Sequence, residues 1–199
     1  MRSLAPVVLL LAVGGSACVA PANDRESNET PVTAEKPFAA GGRIEMQLAA
    51  GTYEIRAASG DRIHVGTSGH TGDTKVEVST ADGSATVTVR DTPRSDFHAT
   101  IEVPKAADLV VHLSAGEIAV EPIAGNAQVD SGAGNVTIEV ADANDYLSVD
   151  ASVKAGDIDA GPFGDSKSGL LQRLTWSGPG KRTLRASLGA GNLKLRSVK

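Results

Sequence analysis

The sequence predicts an all-β protein wound as a single-stranded β-solenoid, a stack of short strands. Three observations carry that prediction. Apolar and polar residues alternate with a period of two through most of the chain. The dipeptide Ala-Gly recurs at what would be corners. Aromatic residues make up only 3% of the 199 residues while 41% are hydrophobic, so the core must be thin and built mostly of Val, Ile, Leu and Ala.

The chain opens with an address. Arg2 supplies a positive start, Leu4 to Val13 form a short apolar run, and Gly14, Gly15, Ser16 and Ala17 make a small-residue cleavage region. Residues 1–17 therefore read as a signal peptide, too short to remain as a membrane-spanning helix. Cys18, the only cysteine, follows directly. Small residues ahead of a cysteine resemble the lipobox of bacterial lipoproteins, which implies acylation at Cys18 and a membrane partner through that anchor. Gly15 stands where that pattern has Leu, Val or Ile. Cleavage after Ala17 or Ala22 to a soluble periplasmic or secreted form is the alternative. Residues 18–37 then read as lipidation site and disordered tether. Val19 to Pro37 hold few large apolar groups, and they could reach on the order of 60 Å if extended.

From Phe38 to Lys199 one β domain is expected. Its alternating runs include Arg43–Leu48, Thr52–Arg56, Arg62–Val65, Lys75–Val78, Thr86–Arg90, Thr100–Val103, Asn135–Val140 and Asn192–Arg196. Alternation of this kind marks strands with one dry and one wet face, and Val, Ile and Thr enrichment agrees. The corner glycines are Gly51, Gly116, Gly134, Gly156 and Gly191. Intervals of 18 and 22 residues suggest single coils, and intervals of 35 and 65 suggest two and three coils with markers lost. A β-sandwich of hairpins is the alternative fold, and the half before Arg90 has weaker repeats.

Phe97-His98-Ala99-Thr100-Ile101-Glu102-Val103-Pro104 is an aromatic-led strand ending in Val-Pro. Ser114-Ala115-Gly116-Glu117-Ile118, Val153-Lys154-Ala155-Gly156-Asp157-Ile158 and Gly189-Ala190-Gly191-Asn192-Leu193 follow it. This order resembles the bacterial putative adhesin family, across roughly residues 42–196. The resemblance implies an envelope-exposed β-solenoid-like domain carried on lipoproteins or tethered proteins. It transfers no binding residue, because the shared motifs are repeat grammar.

Chemistry-bearing residues are few. Lys+Arg 19 against Asp+Glu 24 gives a net charge of −5, which argues against nucleic acid as a partner. A single cysteine excludes an internal disulfide and any multi-cysteine metal site. His64, His70, His98 and His112 lack metal-ligand spacing, and no G-x-S-x-G elbow is present, so no cofactor, metal or catalytic residue is expected. Gly178-Pro179-Gly180-Lys181 reads as a turn. If the coils stack in register, Glu117, Asn135, Asp157 and Asn192 form an outward polar column, with Asp159 beside it. Such oxygens could hold Ca²⁺ or form a solvated ladder. Trp176 would cap an open end of the stack or anchor a partner. The reading is a non-enzymatic, exported envelope protein presenting a β-repeat interaction surface to an envelope protein or glycan. A carbohydrate-active enzyme on a β-helix and an envelope-stress sensor are the alternatives.

Overall fold

The alternating runs do become strands. A computed structural model describes residues 31–198; the proposed leader, Cys18 and most of the tether lie outside the described residues. The strands are β1 (Thr33–Pro37), β2 (Arg43–Leu48), β3 (Gly51–Ala58), β4 (Arg62–Gly69), β5 (Lys75–Ala81), β6 (Ser84–Arg90) and β7 (Phe97–Pro104). After them come β8 (Asp108–Leu113), β9 (Gly116–Val120), β10 (Ala127–Val140), β11 (Tyr146–Ala160), β12 (Asp165–Ser177) and β13 (Arg182–Ser197). The helical residues described are two single 3₁₀ turns, Ala143–Asp145 and Gly161–Phe163.

All thirteen strands belong to one sheet, which is bent over on itself along a line of glycines. Gly51, Gly116, Gly134, Gly191 and Gly156 are successive neighbours across that line. On one side lies a leaf of β5, β6, β2, β8 and the N-terminal halves of β10, β13 and β11. On the other side lie β1, β4, β7, β3, β9 and the C-terminal halves of the same long strands. The leaves enclose one core, and β1 touches β5 at one end, so the architecture is sandwich-like and nearly closed like a barrel.

Glycine at the bend is a steric requirement. Gly116, Gly134, Gly191 and Gly156 have φ between +121° and +135°. A Cβ on Gly134 would lie 1.8 Å from the Gly116 carbonyl oxygen, and one on Gly191 would lie 1.9 Å from that of Gly134. Each strand thus turns the corner by letting its backbone touch the next. Two residues later every strand points inward, so Tyr53, Ile118, Val136, Leu193 and Ile158 form a buried row. Ile55, Val120, Ile138, Leu195 and Ala160 form a second. Burying a Val, Ile or Leu contributes roughly 1.5–3 kcal/mol, so these rows hold the leaves together.

Two sequence expectations need correction. The fold is all-β, yet it is not a solenoid as such, because its layers do not follow chain order. β13 lies between β10 and β11, and antiparallel partners flank the parallel rows as β4 on β7, β5 on β6 and β12 on β11. The 65-residue interval is therefore an excursion through β4 to β7, since Gly51 and Gly116 are direct neighbours. The 35-residue interval is a hairpin excursion through β12, whose Gly169 faces Gly156. The observed shape is nearer the sandwich alternative. The domain also begins earlier than Phe38. Thr33–Pro37, assigned by composition to the tether, pairs antiparallel with β4, and Val32 and Thr67 exchange hydrogen bonds of 2.9 and 3.1 Å.

Gly134→Ala should destabilise the protein by about 3 kcal/mol or more, through steric overlap and positive φ together. Gly60→Ala, where a Cβ meets nothing within 4 Å, should change stability by about 0.5 kcal/mol or less. Urea unfolding of the two variants checks the contrast; equal effects would remove the steric account of the bend.

Candidate functional site

The residue after each corner glycine faces outward, so the bend writes a polar column onto the surface. Thr52, Glu117, Asn135, Asn192 and Asp157 occupy successive registers. Asn135 Nδ2 donates to Glu117 Oε1 at 3.0 Å, and Asn192 Nδ2 donates to Asn135 Oδ1 at 3.0 Å. This is a short amide ladder of two links running along the sheet, with the Glu117 carboxylate and the Asn135 carbonyl each occupied by the next amide. Asp159 stands one outward position further on, with Lys194 Nζ at 3.6 Å and Ser166 Oγ at 3.4 Å. For this column to hold a cation, Glu117 and Asn135 would have to release these contacts. Among the described residues no group of three or more His, Cys, Asp or Glu side chains could hold a metal ion.

The histidines are dispersed. His64 Nδ1 lies 3.6 Å from Glu102 Oε2, His98 Nε2 lies 3.5 Å from Asp96 Oδ1, and His112 Nδ1 lies 3.6 Å from Asp130 Oδ2. His70 is exposed in the loop after β4. Trp176 rests on Phe163 with ring centroids 5.0 Å apart, and Phe163 meets Tyr146 edge-on at 5.9 Å. The indole, carried by the edge strand β12, is half-buried against the core. Gly178–Lys181 is the turn between β12 and β13, tied to Asp145 and Tyr146 by backbone hydrogen bonds.

A second feature was invisible in the sequence. On the outer face of the first leaf, Arg43, Asp108, Val110, Asn126, Gln128, Ser148, Asp150, Thr183 and Arg185 line a trough of about 320 Å³. They come from β2, β8, β10, β11, β13 and the turn before β10. No two that face one another are close in the chain, so alternation alone identifies each as outward and leaves their meeting unread. The walls are locked by their own bonds. Asp108 Oδ1 accepts from the Asn126 backbone N–H at 2.7 Å, and Asn126 Oδ1 accepts from the Thr183 N–H at 2.8 Å. Arg173 grips Asp150 with two bonds, 3.1 and 2.5 Å. Among the described residues Arg43 and Arg185 have no ion-pair partner, and both are exposed.

That geometry suits recognition better than bond cleavage. Asp108 and Asp150 are the acids of the trough, and their strands are three places apart across the sheet, roughly 14 Å at 4.8 Å per strand. Paired acids of a glycosidase sit about 5–9.5 Å apart. The trough instead offers two arginine forks and several amides and hydroxyls along a rigid floor, groups that read carboxylates and sugar hydroxyls by hydrogen bonding.

No family model matches the chain, and no curated protein matches it. Solved structures do. A "putative cell adhesion protein" from Clostridium sporogenes is 13% identical with a TM-score of 0.51, the match covering 85% of this chain and 100% of that one. A "putative adhesin" from Bacteroides fragilis is 10% identical with a TM-score of 0.26, over 84% and 98% of the two chains. The first of these is a likeness of fold.

Beneath the column lies Tyr53, packed edge-on to Phe97 at 5.9 Å, its hydroxyl enclosed with no hydrogen-bond partner among the described residues. Burial pushes this hydroxyl well above its ordinary 10.0, and Tyr146 moves the same way for the same reason. The folded protein holds both protons more tightly than the unfolded chain does. Their contribution to stability is complete below pH 10.0 and is lost as the pH rises beyond it. Tyr53→Phe should therefore leave stability at pH 7 unchanged or raise it by up to about 1 kcal/mol. Combined with Tyr146→Phe it should flatten the alkaline decline in melting temperature; a decline as steep as the parent's would refute the assignment.

Proposed function

We propose that this is an exported, non-enzymatic protein of the bacterial cell envelope whose first leaf binds an acidic glycan through the Arg43–Arg185 trough. The observation that carries the reading is a pair of arginines without an ion-pair partner among the described residues, on a floor where Asp108, Asn126, Gln128, Asp150 and Thr183 are held by internal bonds. A rigid, pre-ordered surface loses little entropy on binding. The fold likeness to the "putative cell adhesion protein" of Clostridium sporogenes supports an adhesin-like role. The leader-like residues 1–17 and the small residues before Cys18 support export and attachment to a membrane through an acyl anchor. Among the described residues no helix is long and apolar enough to cross a membrane.

A glycan array probed with residues 19–199 should enrich uronate-bearing oligosaccharides over neutral ones. Arg43→Gln/Arg185→Gln should weaken binding by about tenfold or more, since charged hydrogen bonds contribute about 1.5–3 kcal/mol each. Retained binding by the double variant would move the site elsewhere, and depolymerisation abolished by Asp157→Asn would make the protein an enzyme. Separately, radiolabelled palmitate should enter the full chain in a bacterial host and fail to enter Cys18→Ser. Equal labelling of the two, or none of either, would dispose of the anchor.

A further inference from the structure

Among the described strands β12 is the last at one end of the sheet; it spans both leaves and pairs with β11 alone. Like the other long strands, β12 has a glycine at the corner, Gly169 opposite Gly156 with φ +124°, and it follows that glycine with Leu170 and Leu171. They are 74% and 81% exposed, while nearly every other large apolar side chain described is enclosed. The ladder to β11 runs from Ala155–Leu170 to Val153–Gln172 in one register, with Lys154 and Leu171 left unpaired between them. Leu171 has φ +52°, a left-handed conformation unfavourable for leucine and suited to asparagine or glycine. Two adjacent leucines held in water, one of them on strained backbone, lower stability without any compensating contact in the fold. That is the profile of a surface that meets something.

The surroundings say what it meets. A strand added by a second copy would need the free edge of β12, and that edge is occupied by its own side chains. Gln172 Nε2 donates to the Leu170 carbonyl at 3.0 Å, and Lys167 Nζ donates to the Arg173 carbonyl at 2.8 Å. The kink at Leu171 also prevents a flat edge. Lys154 is the β11 residue across from Leu171, and Lys167 and Arg173 flank the leucines along β12; the acids nearby are Asp157, Asp159 with Lys194 beside it, and Asp150, which is engaged by Arg173. In a chain of net charge −5 this corner is locally basic. Convex, apolar at its tip and cationic at its collar, it matches the boundary between acyl chains and phosphates.

We propose that the Leu170–Leu171 corner inserts into an anionic lipid bilayer, the leucines entering the headgroup–acyl boundary and Lys154, Lys167 and Arg173 lying at the phosphates. This needs neither the acyl chain at Cys18 nor the trough. The test is flotation of residues 19–199, which contain every strand and the whole core, with phosphatidylglycerol–phosphatidylcholine vesicles. The protein should float with them, less with phosphatidylcholine alone, and less at about 1 M salt, where charges are screened within about 3 Å. Leu170→Ser/Leu171→Asn should reduce partitioning by about tenfold or more. Its melting temperature should hold or rise, because asparagine accepts the left-handed backbone. No flotation of the parent, or equal flotation of the variant, overturns the proposal. So does a concentration-dependent dimer of the parent that the variant loses, if neither protein floats, because the occupant is then a second copy.

Discussion

The structure depends on one close approach: at the bend, each strand's backbone carbonyl occupies the space where its neighbour would carry a Cβ. This contact fixes more than a turn. Because Gly51, Gly116, Gly134, Gly191 and Gly156 share a register, every residue counted from them shares one too. Residue +1 is outward and polar, and residue +2 is inward and apolar. A slip by one position in any strand would bury the amide ladder and expose a core row. The steric constraint at the corner and the hydrophobic pattern along the strand therefore enforce the same register by different physics.

The narrowness of the core follows. Leaves joined by a tight bend near the glycines leave room for Val, Ile, Leu and Ala in the middle rows and for rings only near the ends of the stack. Tyr53 and Phe97 lie toward the β1 end, and Tyr146, Phe163 and Trp176 lie at the β12 side. Arg182 stacks over Tyr146 at 5.0 Å and forms an ion pair with Asp145, closing that side with charge as well as ring. Tyr53 carries the penalty of this economy, a hydroxyl sealed into an apolar row with no hydrogen-bond partner among the described residues.

Much of this was legible in the residues, and the boundary of legibility is physical. Period-two alternation reports which face of a strand is dry, so the strands and core rows could be read. The column of Glu117, Asn135, Asn192 and Asp157 could be anticipated because the same corner dipeptide precedes each member. The order of layers could not. Nothing local to Gly156 or Gly191 says that β13 inserts between β10 and β11, since that is decided by which rows pack best across the sheet. β1 was missed because Thr33–Pro37 has almost no apolar side chain to bury; it joins the sheet through backbone hydrogen bonds, to which composition is blind. The trough was missed for a related reason: residues of one row, such as Arg43 and Thr183, belong to strands far apart in the chain.

The two ends of the sheet resolve the problem of an exposed edge in opposite ways. At one end β1 folds against β5, so each leaf shields the other's last strand. At the other, β12 crosses both leaves alone and protects itself with side chains that cap its own carbonyls. Such protection is needed only where no partner strand is meant to arrive. An edge closed to strands yet tipped with bare leucines separates two functions that usually coincide. Two of its carbonyls, those of Leu170 and Arg173, are satisfied by its own side chains, and its apolar groups are left for a surface that asks for no hydrogen bonds. The corner glycine is kept even here, as Gly169 opposite Gly156, and the two leucines that follow it are the side chains left bare.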